Sequence, residues 1–337
     1  MSEKLLSIVV PSYNSQDYLS RCLDSLMPGG GEVEVIVVDD GSTDRTADIA
    51  REYISRYPGI VRLHQQENGG HGAAINSGIA LAAGAYFKVV DSDDRLDGEA
   101  YQQVLSKLRS IEPIDLLITN YVYEYYNDGK SYTMRYRNMF PQDKVITWDK
   151  MQRARFDQIM LMHSFIYRTE LLRQCGLKLP EHTFYEDNLF AYVPLPYVKK
   201  LLYFNCNLYR YYIGRADQSV NTQVMIKRVD QQLRVTRLMI GCYDLYRDVS
   251  SKNLSRYMIH HLSMMVATSI IHINLSEEED KNGEVDALWE FIRAKDERLY
   301  TELRRSFVNL GIILSQKVNQ KMMLMGYNIA KRIYKFC

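Results

Sequence analysis

Cysteine is scarce and scattered in this sequence. The five cysteines are odd in number and lack the close pairs of metal-binding motifs: Cys22, Cys175, Cys206, Cys242 and Cys337. This usage argues against a disulfide framework and against a zinc site, and it favours reduced thiols in the cytoplasm. A small disulfide-stapled secreted domain is therefore excluded.

Long hydrophobic runs are also lacking, because no stretch reaches the roughly 18 consecutive apolar residues of a membrane span. The nearest approach, residues 257–275, is interrupted by histidines, which predicts a buried helix. The first residues, Met-Ser-Glu-Lys, lead at once into a strand-like run and lack the features of a secretory signal. We therefore expect a cytoplasmic location.

Acidic residues are missing from the end of the chain. After Glu302 there are seven Lys or Arg and no Asp or Glu, whereas the preceding residues carry 35 basic and 41 acidic side chains. Such a tail suits an amphipathic helix at an anionic membrane surface, here the inner face of the membrane, and it equally suits a basic helix packed on an acidic body. The formal charge of the whole chain is only +1, and we expect no nucleic-acid partner.

Glycine is absent from the turn after the first predicted strand. The apolar run Leu5–Val10 predicts a buried strand that Pro11 ends, and Ser-Tyr-Asn-Ser follows. A dinucleotide-binding G-x-G-x-x-G needs glycines at this turn, and no P-loop G-x-x-x-x-G-K-[ST] occurs in the chain. The sequence therefore argues against an NAD-dependent dehydrogenase and against a P-loop nucleotidase.

Short apolar runs do alternate with helical segments through the first half of the chain. Predicted strands lie at 5–10, 33–38, 60–64, 85–90 and 114–119, and predicted helices at 14–27, 43–57, 73–83 and 96–110. This alternation predicts an α/β fold with a mostly parallel sheet, and Asn-Asp-Gly at 127–129 predicts a hairpin. Beyond residue 221 only helices are predicted, at 222–249, 252–275, 284–296 and 298–335. We expect a catalytic domain at 1–220 and a helical region at 221–337.

Polar residues follow three predicted strands at the point where each ends. Tyr13 follows the first strand, Asp40 the second, and the cluster Asp91, Asp93 and Asp94 the fourth. Ligands of open α/β sheets bind beyond the carboxyl ends of strands, and Mg²⁺ commonly combines one or two carboxylates with substrate phosphates. Taken alone, an acidic turn is typical of a solvated surface; three such strand ends together predict a nucleotide-diphosphate site.

Four segments together resemble family 2 glycosyltransferases. They are Ser7–Asn14, Val35–Asp44, Asn68–Gly78 and Asp91–Asp94. The resemblance covers about residues 5 to 220. It implies a GT-A fold, a Rossmann-like and mostly parallel sheet flanked by helices, and a nucleotide-sugar donor.

The resemblance also implies the site residues. Those that would contact the nucleotide are Pro11, Tyr13, Asp40, Asn68, Gly70, His71, Asp91 and Ser92. In the D-x-D pair, Asp93 would lie nearest a divalent cation, Mg²⁺ or Mn²⁺. Many relatives carry Arg or Lys where this chain has Ile75, so His71 or the glycine-rich backbone is expected to replace that phosphate contact.

An acidic pair, Glu186 and Asp187, opens a later helix. Acidic residues at a helix start stabilise the helix dipole, which is the structural explanation for the pair. In the resembled family the Asp of such a pair is the general base, which implies a catalytic Asp187 and a Glu186 that orients the acceptor. In the following basic segment, Arg215 is the expected contact to the diphosphate, and Arg210 is equally suited to a structural ion pair.

The sequence thus predicts an inverting, metal-dependent glycosyltransferase. It would move a sugar, a hexose by expectation, from UDP or another nucleotide diphosphate to a glycan or lipid-linked glycan in cell-surface polysaccharide or glycoconjugate synthesis. Two alternatives stay open. A nucleotidyltransferase also uses carboxylate-bound metal, although the basic glycine-rich fingerprint is missing. A non-catalytic sugar-nucleotide-binding subunit of a partner transferase is the other, and the intact Asp187 argues against it.

Overall fold

The computed structural model describes residues 4–125, 129–214, 222–276 and 279–318. The chain forms two compact units. One consists of Met1–Met151 and Met160–Ile213, and the other of Gln152–Ile159 and Gly214–Cys337. The domain boundary expected near residue 220 falls outside the described residues.

One mixed sheet organises the first unit. Its ten strands are β1 (Leu6–Ser12), β2 (Val33–Asp39), β3 (Val61–Gln65), β4 (Tyr86–Val89), β5 (Arg95–Leu96), β6 (Leu116–Tyr125), β7 (Ser131–Met134), β8 (Val145–Ile146), β9 (Phe165–Arg168) and β10 (Leu201–Ile213). They lie in the order β3-β2-β1-β4-β9-β6-β10-β5, with β7 beside β6 and β8 beside β10. β6 and β7 pair antiparallel, and the tip of the predicted hairpin, residues 126–128, lies outside the described residues.

The first four strands form the parallel part of the sheet. β1 pairs with β2 on one side and with β4 on the other, and β3 extends the sheet beyond β2. Every residue of β1 and β2 is buried, as expected for apolar parallel strands that are covered on both faces. The chain order reverses beside β1, and such a switch point opens a crevice at the carboxyl ends of the strands.

The remaining strands make the sheet mixed rather than uniformly parallel. β10 runs parallel to β6, whereas β9 is antiparallel to both β4 and β6. The sequence predicts neither β9 nor β10. β1 also continues through Pro11 to Ser12, which corrects the expected end of the strand. β4 pairs with β1 only as far as Val9, so the missing N–H of Pro11 removes no ladder bond there.

In the described residues of the first unit, six α-helices accompany the sheet. They are α1 (Leu19–Leu26), α2 (Thr46–Arg56), α3 (His71–Leu81), α4 (Gly98–Ser110), α5 (Thr169–Gln174) and α6 (Asp187–Tyr192). α3 packs on β1 so closely that a Cβ on Gly78 would lie 2.4 Å from a Val9 methyl group. The small residues of α3 therefore serve tight packing of the helix on the sheet.

In the described part of the second unit, the chain from residue 222 onward is helical apart from connecting segments, whereas residues 152–159 form no helix. Its helices are α7 (Thr222–Lys227), α8 (Val229–Cys242), α9 (Lys252–Leu275), α10 (Lys281–Lys295), α11 (Glu297–Arg305) and α12 (Phe307–Val318). α9 packs against α8, α10, α11 and α12. α9 is long and apolar enough to cross a membrane, because it contains an 18-residue stretch with a mean hydropathy of 1.2. However, 61% of that stretch is buried inside the molecule. This burial is typical of a core helix, as the sequence predicts.

Candidate active site

The loops that follow the parallel strands are tied to one another at the carboxyl edge of the sheet. Asn14, after β1, accepts a hydrogen bond from the Thr43 amide at 2.9 Å, and its own amide donates to Ser42 Oγ at 2.9 Å. Its φ of 48° places it in the left-handed region, which Asn tolerates better than most residues. The Oγ atoms of Ser15 and Ser92 form a hydrogen bond of 2.7 Å. The predicted residue Ser92 is thereby fixed to the β1 loop.

Asp40 organises the glycine-rich loop after β3. Its buried carboxylate accepts hydrogen bonds from the amides of Gly69 at 3.0 Å and Gly70 at 2.7 Å, and from the Gln66 side chain at 2.7 Å. The Asn68 side chain donates to the Asp40 carbonyl at 2.9 Å. Three predicted nucleotide residues, Asp40, Asn68 and Gly70, therefore lie together, with Asp40 holding the loop that carries the other two.

Two glycines allow this loop and the start of α3 to approach the segment before α6. Gly70 has a φ of +87°, and a Cβ there would lie 3.0 Å from the His182 amide nitrogen. A Cβ on Gly72 would lie 2.8 Å from the Pro180 carbonyl oxygen and 2.9 Å from Glu186 Cγ. Larger residues at these positions would force the two segments apart.

Asn76 fastens the same two segments one helical turn later. Its side chain donates to the Leu179 carbonyl at 2.9 Å and accepts from the Leu179 amide at 3.0 Å. The neighbouring Ile75 is completely buried, so its side chain contributes to the core and not to a phosphate site. The pair of hydrogen bonds from Asn76 thus fixes the chain that leads into α6.

The His71 ring, at the start of α3, lies between two carboxylates. Its Nδ1 is 2.6 Å from Glu186 Oε1 and its Nε2 is 2.9 Å from Asp91 Oδ1. Ionised carboxylates only accept, and a neutral imidazole has a single N–H, so this geometry calls for the doubly protonated ring. Burial opposes the charge, yet the hydrogen bonds to Asp91 and Glu186 raise the pKa of His71 well above its ordinary value. His71 is a predicted phosphate contact, but both of its ring nitrogens therefore form hydrogen bonds with carboxylates.

The aspartates beyond β4 have different surroundings. Asp94 is fully buried and accepts hydrogen bonds from the Tyr209 hydroxyl at 2.6 Å and the Tyr212 amide at 2.8 Å. Burial, together with the charges of Asp93 and Asp91, raises the pKa of Asp94 well above its ordinary value. At Asp91 burial acts in the same direction, but the hydrogen bond and charge of His71 lower its pKa. Asp94 therefore anchors β10, while Asp91 stays ionised beside His71.

Asp93 is half-buried and is held through its backbone. Arg21 donates to the Asp93 carbonyl at 2.7 Å, and its guanidinium group lies 4.5 Å above the ring of Tyr212. This contact fixes the turn between Asp91 and Asp94 and places a cation beside the cluster.

A buried lysine lies behind the cluster, in β4. Lys88 donates to the carbonyl of His163 at 2.8 Å and lies 5.0 Å above the Tyr209 ring. Burial lowers the pKa of Lys88 to about 7 and that of His163 to about 4. His163 stacks on Tyr209 at 4.7 Å. This layer supports Tyr209 and, through it, the aspartates.

The residues at the cluster fit a divalent cation of the kind expected from the sequence. Within the described ranges, no group of three or more His, Cys, Asp or Glu side chains forms a candidate metal-binding set. Mg²⁺, however, is commonly held by one or two carboxylates together with substrate phosphates. Asp91 and Asp93 offer two carboxylates at the crevice, and the His71 and Tyr209 contacts of Asp91 leave lone pairs available.

Asp187 is the half-buried first residue of α6. Burial, followed by the charge of Glu186, raises the pKa of Asp187 to about 7, while the charge of His71 acts in the opposite direction. A carboxylate whose pKa lies near neutrality is suited to general base catalysis. Glu186 itself is buried, and its carboxylate is committed to His71.

The remaining residues considered for contacts to the nucleotide or its diphosphate lie, in the sequence, in or directly after β1 and in or beyond β10. Tyr13 is 54% exposed at the end of β1, and Pro11 is buried within that strand. Arg210 forms an ion pair with Asp97 at 2.6 Å, which is the structural role considered for it. Arg215 lies outside the described residues.

Sequence reasoning missed three residues that shape the site, namely Arg21, Asn76 and Tyr209. Tyr209 contacts a residue 118 positions away, in a chain with 26 tyrosines. No local pattern marks such a residue, because its role depends on which strands become neighbours.

The comparisons with known proteins bear on the family and the fold. The family model described as Glycosyl transferase family 2 matches residues 7–174. The chain is 31% identical over 220 residues to glycosyltransferase GlyG of Streptococcus pneumoniae serotype 4, an alignment that covers 63% of this chain and 71% of that protein. The predicted resemblance to family 2 glycosyltransferases is therefore confirmed.

Solved structures share the fold. S. aureus TarS 1-349, in complex with UDP-GlcNAc, is 20% identical, with a TM-score of 0.53 over 90% of this chain and 91% of that chain. Mannosyltransferase PcManGT from Pyrobaculum calidifontis, in complex with GDP-Man and Mn²⁺, is 14% identical, with a TM-score of 0.52 over 87% of this chain and 86% of that chain. These similarities confirm the predicted GT-A type of α/β fold with a helical C-terminal region.

Proposed function

Because the chain belongs to glycosyl transferase family 2, we propose that it transfers a hexose from a UDP-sugar, with inversion, to a hydroxyl group of a glycan or lipid-linked glycan. Family membership makes the protein a glycosyltransferase. The donor, the acceptor, the cation and the roles of individual residues belong to the proposal.

One observation carries the proposal: a carboxylate suited to act as a base is linked to the expected donor site. Asp187 has a pKa of about 7 and directly follows Glu186. Glu186 contacts His71, and His71 contacts Asp91 in the cluster beyond β4. Acceptor deprotonation and departure of the diphosphate must occur on opposite sides of one sugar carbon, and this link would fix the two groups relative to each other.

The donor side is supported by the crevice at the carboxyl ends of β1, β2 and β4. The exposed ring of Tyr13 offers a face for a nucleobase, and the loop held by Asp40 offers backbone groups to the same ligand. UDP is chosen as the nucleotide because the similar protein TarS was solved with UDP-GlcNAc.

Asp91 and Asp93 would hold the divalent cation, which when bound would supply positive charge to the departing diphosphate. The presence of Mn²⁺ in the complex of PcManGT supports this expectation. The chain's own residues perform the rest: Asp187 accepts the acceptor proton, and Glu186, held on His71, fixes the start of α6.

Asp187→Asn tests the proposal directly. The change is nearly isosteric but removes the base, so transfer should fall about 10²- to 10⁴-fold while donor affinity and thermal stability hardly change. A screen of UDP-sugars by thermal stabilisation identifies the donor, and UDP release is then counted with and without glycan acceptors in Mg²⁺ or Mn²⁺. A parallel set with chelator measures the cation requirement.

The matched control is Asp48→Asn, which removes a carboxylate on α2 that forms an exposed ion pair with Arg51. It should transfer at the wild-type rate. Near wild-type transfer by Asp187→Asn would refute the assignment of the base. Donor binding by the wild type without any sugar transfer would favour the binding-subunit alternative, and release of pyrophosphate would favour a nucleotidyltransferase.

A further inference from the structure

His71 connects three elements that are distant in the sequence. It begins α3, and its ring reaches Glu186, 115 residues away at the start of α6, and Asp91, 20 residues away beyond β4. Its side chain is only about one-third exposed, at 34%, and that of Glu186 is 3% exposed. The contact between these partly shielded charged groups resists separation, because neither carboxylate can leave the ring without losing a charge-assisted hydrogen bond.

We propose that His71 is a positioning residue for sugar transfer: its ring holds Glu186 against Asp91 and thereby fixes both the location and the electrostatic surroundings of Asp187. The inference rests on the proposed function, since it assigns to His71 an effect on the base of that reaction. It replaces the expectation that His71 contacts a phosphate, because both ring nitrogens already face carboxylates.

The electrostatic part follows from the groups that face Asp187. The charges of Glu186 and Asp91 favour its protonated form, whereas the His71 cation and the hydrogen-bond donors of Asn188 favour its ionised form. Without the cation, the Asn188 donors would remain, but the charges of the two carboxylates would be less well compensated. His71 therefore keeps the base ionised at a lower pH than its acidic neighbours would allow.

The positional part follows from the packing around the ring. Gly72, in the same turn of α3, lies against Glu186, and Asn76 binds the chain before α6 at Leu179. His71 supplies the third attachment, and it is the one that reaches the donor side at Asp91. Its loss would remove this attachment to the aspartate cluster and leave the two attachments to α3.

Two substitutions separate these effects because they act on the base with opposite signs. His71→Gln removes the cation, so the acid limb of the kcat/KM profile should move to higher pH. Glu186→Gln removes the nearest negative charge, so the limb should move to lower pH. Both weaken the same link, and both should lower kcat about 10- to 100-fold with little change in KM for the donor.

A double-mutant cycle with Asp187→Asn tests whether His71 acts through the base. If it does, His71→Gln should have little further effect on the residual transfer rate of Asp187→Asn. The matched control is His64→Gln on β3, a half-buried histidine outside the site, which should leave both the rate and the pH profile unchanged. Thermal unfolding of every variant shows whether the fold is kept.

The outcomes discriminate between the proposals. Opposite shifts of the acid limb together with non-additive rates support the positioning role. Shifts in the same direction, no shift, or additive rates overturn it, even where the wild type transfers sugar and Asp187→Asn does not. If His71→Gln does not fold, the same double-mutant cycle with Glu186→Gln in its place decides, because that substitution breaks the link to Asp91 from its other end. A wild type without transfer activity refutes the proposed function and this inference with it.

Discussion

The pKa values of three aspartates in the site differ, although the side chains are chemically identical, because their surroundings differ. Asp94 is buried next to other carboxylates, and its pKa is raised, whereas the His71 cation lowers the pKa of Asp91 against the effect of burial. Asp187 lies between these cases, at about 7. The separation suits an anchoring role for Asp94 and an ionised state for Asp91, and it supports the proposal that Asp187 is the proton acceptor.

The raised pKa of Asp187 predicts a pH dependence of transfer. Its ordinary value is 3.8, and the folded value is about 7, so the carboxyl group is protonated over most of the mildly acidic range. A base must be ionised, so kcat/KM should be half-maximal near pH 7 and fall about tenfold per pH unit below it. Initial rates between pH 5 and 9 at saturating cation measure the limb.

In Asp187→Asn the residual rate should lose this limb, which is the internal control for the assignment. A plateau that extends to about pH 5 in the wild type would contradict the raised pKa.

The sequence predicts the kinds of residue at the site better than their contacts. The motifs place carboxylates and glycines at the ends of the right strands. They do not show that Asp40 binds the amides of Gly69 and Gly70, or that His71 faces Glu186. Those contacts depend on the distance between segments that only the folded chain brings together.

At the level of elements, the junction of α3 with the chain before α6 depends on the absence of a side chain at Gly72. Within a helix, Gly→Ala ordinarily stabilises by up to about 1 kcal/mol. Gly72→Ala should instead destabilise, by about 1–3 kcal/mol, since its Cβ would meet the Pro180 carbonyl and Glu186 Cγ. Transfer should also slow, because Glu186 would be displaced from His71.

The matched control is Gly241→Ala near the end of α8, where a Cβ would meet nothing within 4 Å. It should be neutral or stabilise the protein by a few tenths of a kcal/mol. Denaturant unfolding of both variants measures the difference. A Gly72→Ala protein as stable and as active as the wild type would show that the junction tolerates displacement.

The elements that the sequence does not predict have physical reasons for escaping notice. β9 has only four residues, too few for a periodic pattern. β10 has 13 residues, but asparagines, tyrosines and an arginine interrupt its apolar pattern, since several of them bind other parts of the site or its supports. The buried strands β1, β2 and β4 are predicted because nearly every residue in them packs against the core. The sequence predicts one continuous helix at 298–335, whereas the structure has a break at Ser306 between α11 and α12. No glycine or proline marks this break in the sequence.

At the level of the whole molecule, the uneven charge of the chain leads to a proposal about location. All seven basic side chains after Glu302 are uncompensated by acidic residues in that stretch, and four of them follow residue 318. We propose that this tail contacts the anionic inner face of the membrane. Deletion of residues 319–337 should weaken sedimentation with vesicles of phosphatidylcholine and phosphatidylserine, because each basic residue contributes about 1 kcal/mol near such a surface.

Vesicles of phosphatidylcholine alone are the control, and added salt should reduce binding of the full chain to the anionic ones. Transfer to a soluble acceptor should persist after the deletion. Equal binding before and after it would remove the membrane from the proposal, and loss of folding would favour a tail packed on the protein.

The short segment Gln152–Ile159 has a consequence for how the protein is made. It belongs to the helical unit although it is encoded within the first unit, and His260 contacts the Gln158 carbonyl across 102 residues of chain. Ribosomes add roughly 5–20 residues per second, so the segment emerges some 5–20 s before this partner. For that interval the nascent first unit carries a piece of a structure that does not yet exist. A gene cut after residue 213 would make this temporary state permanent.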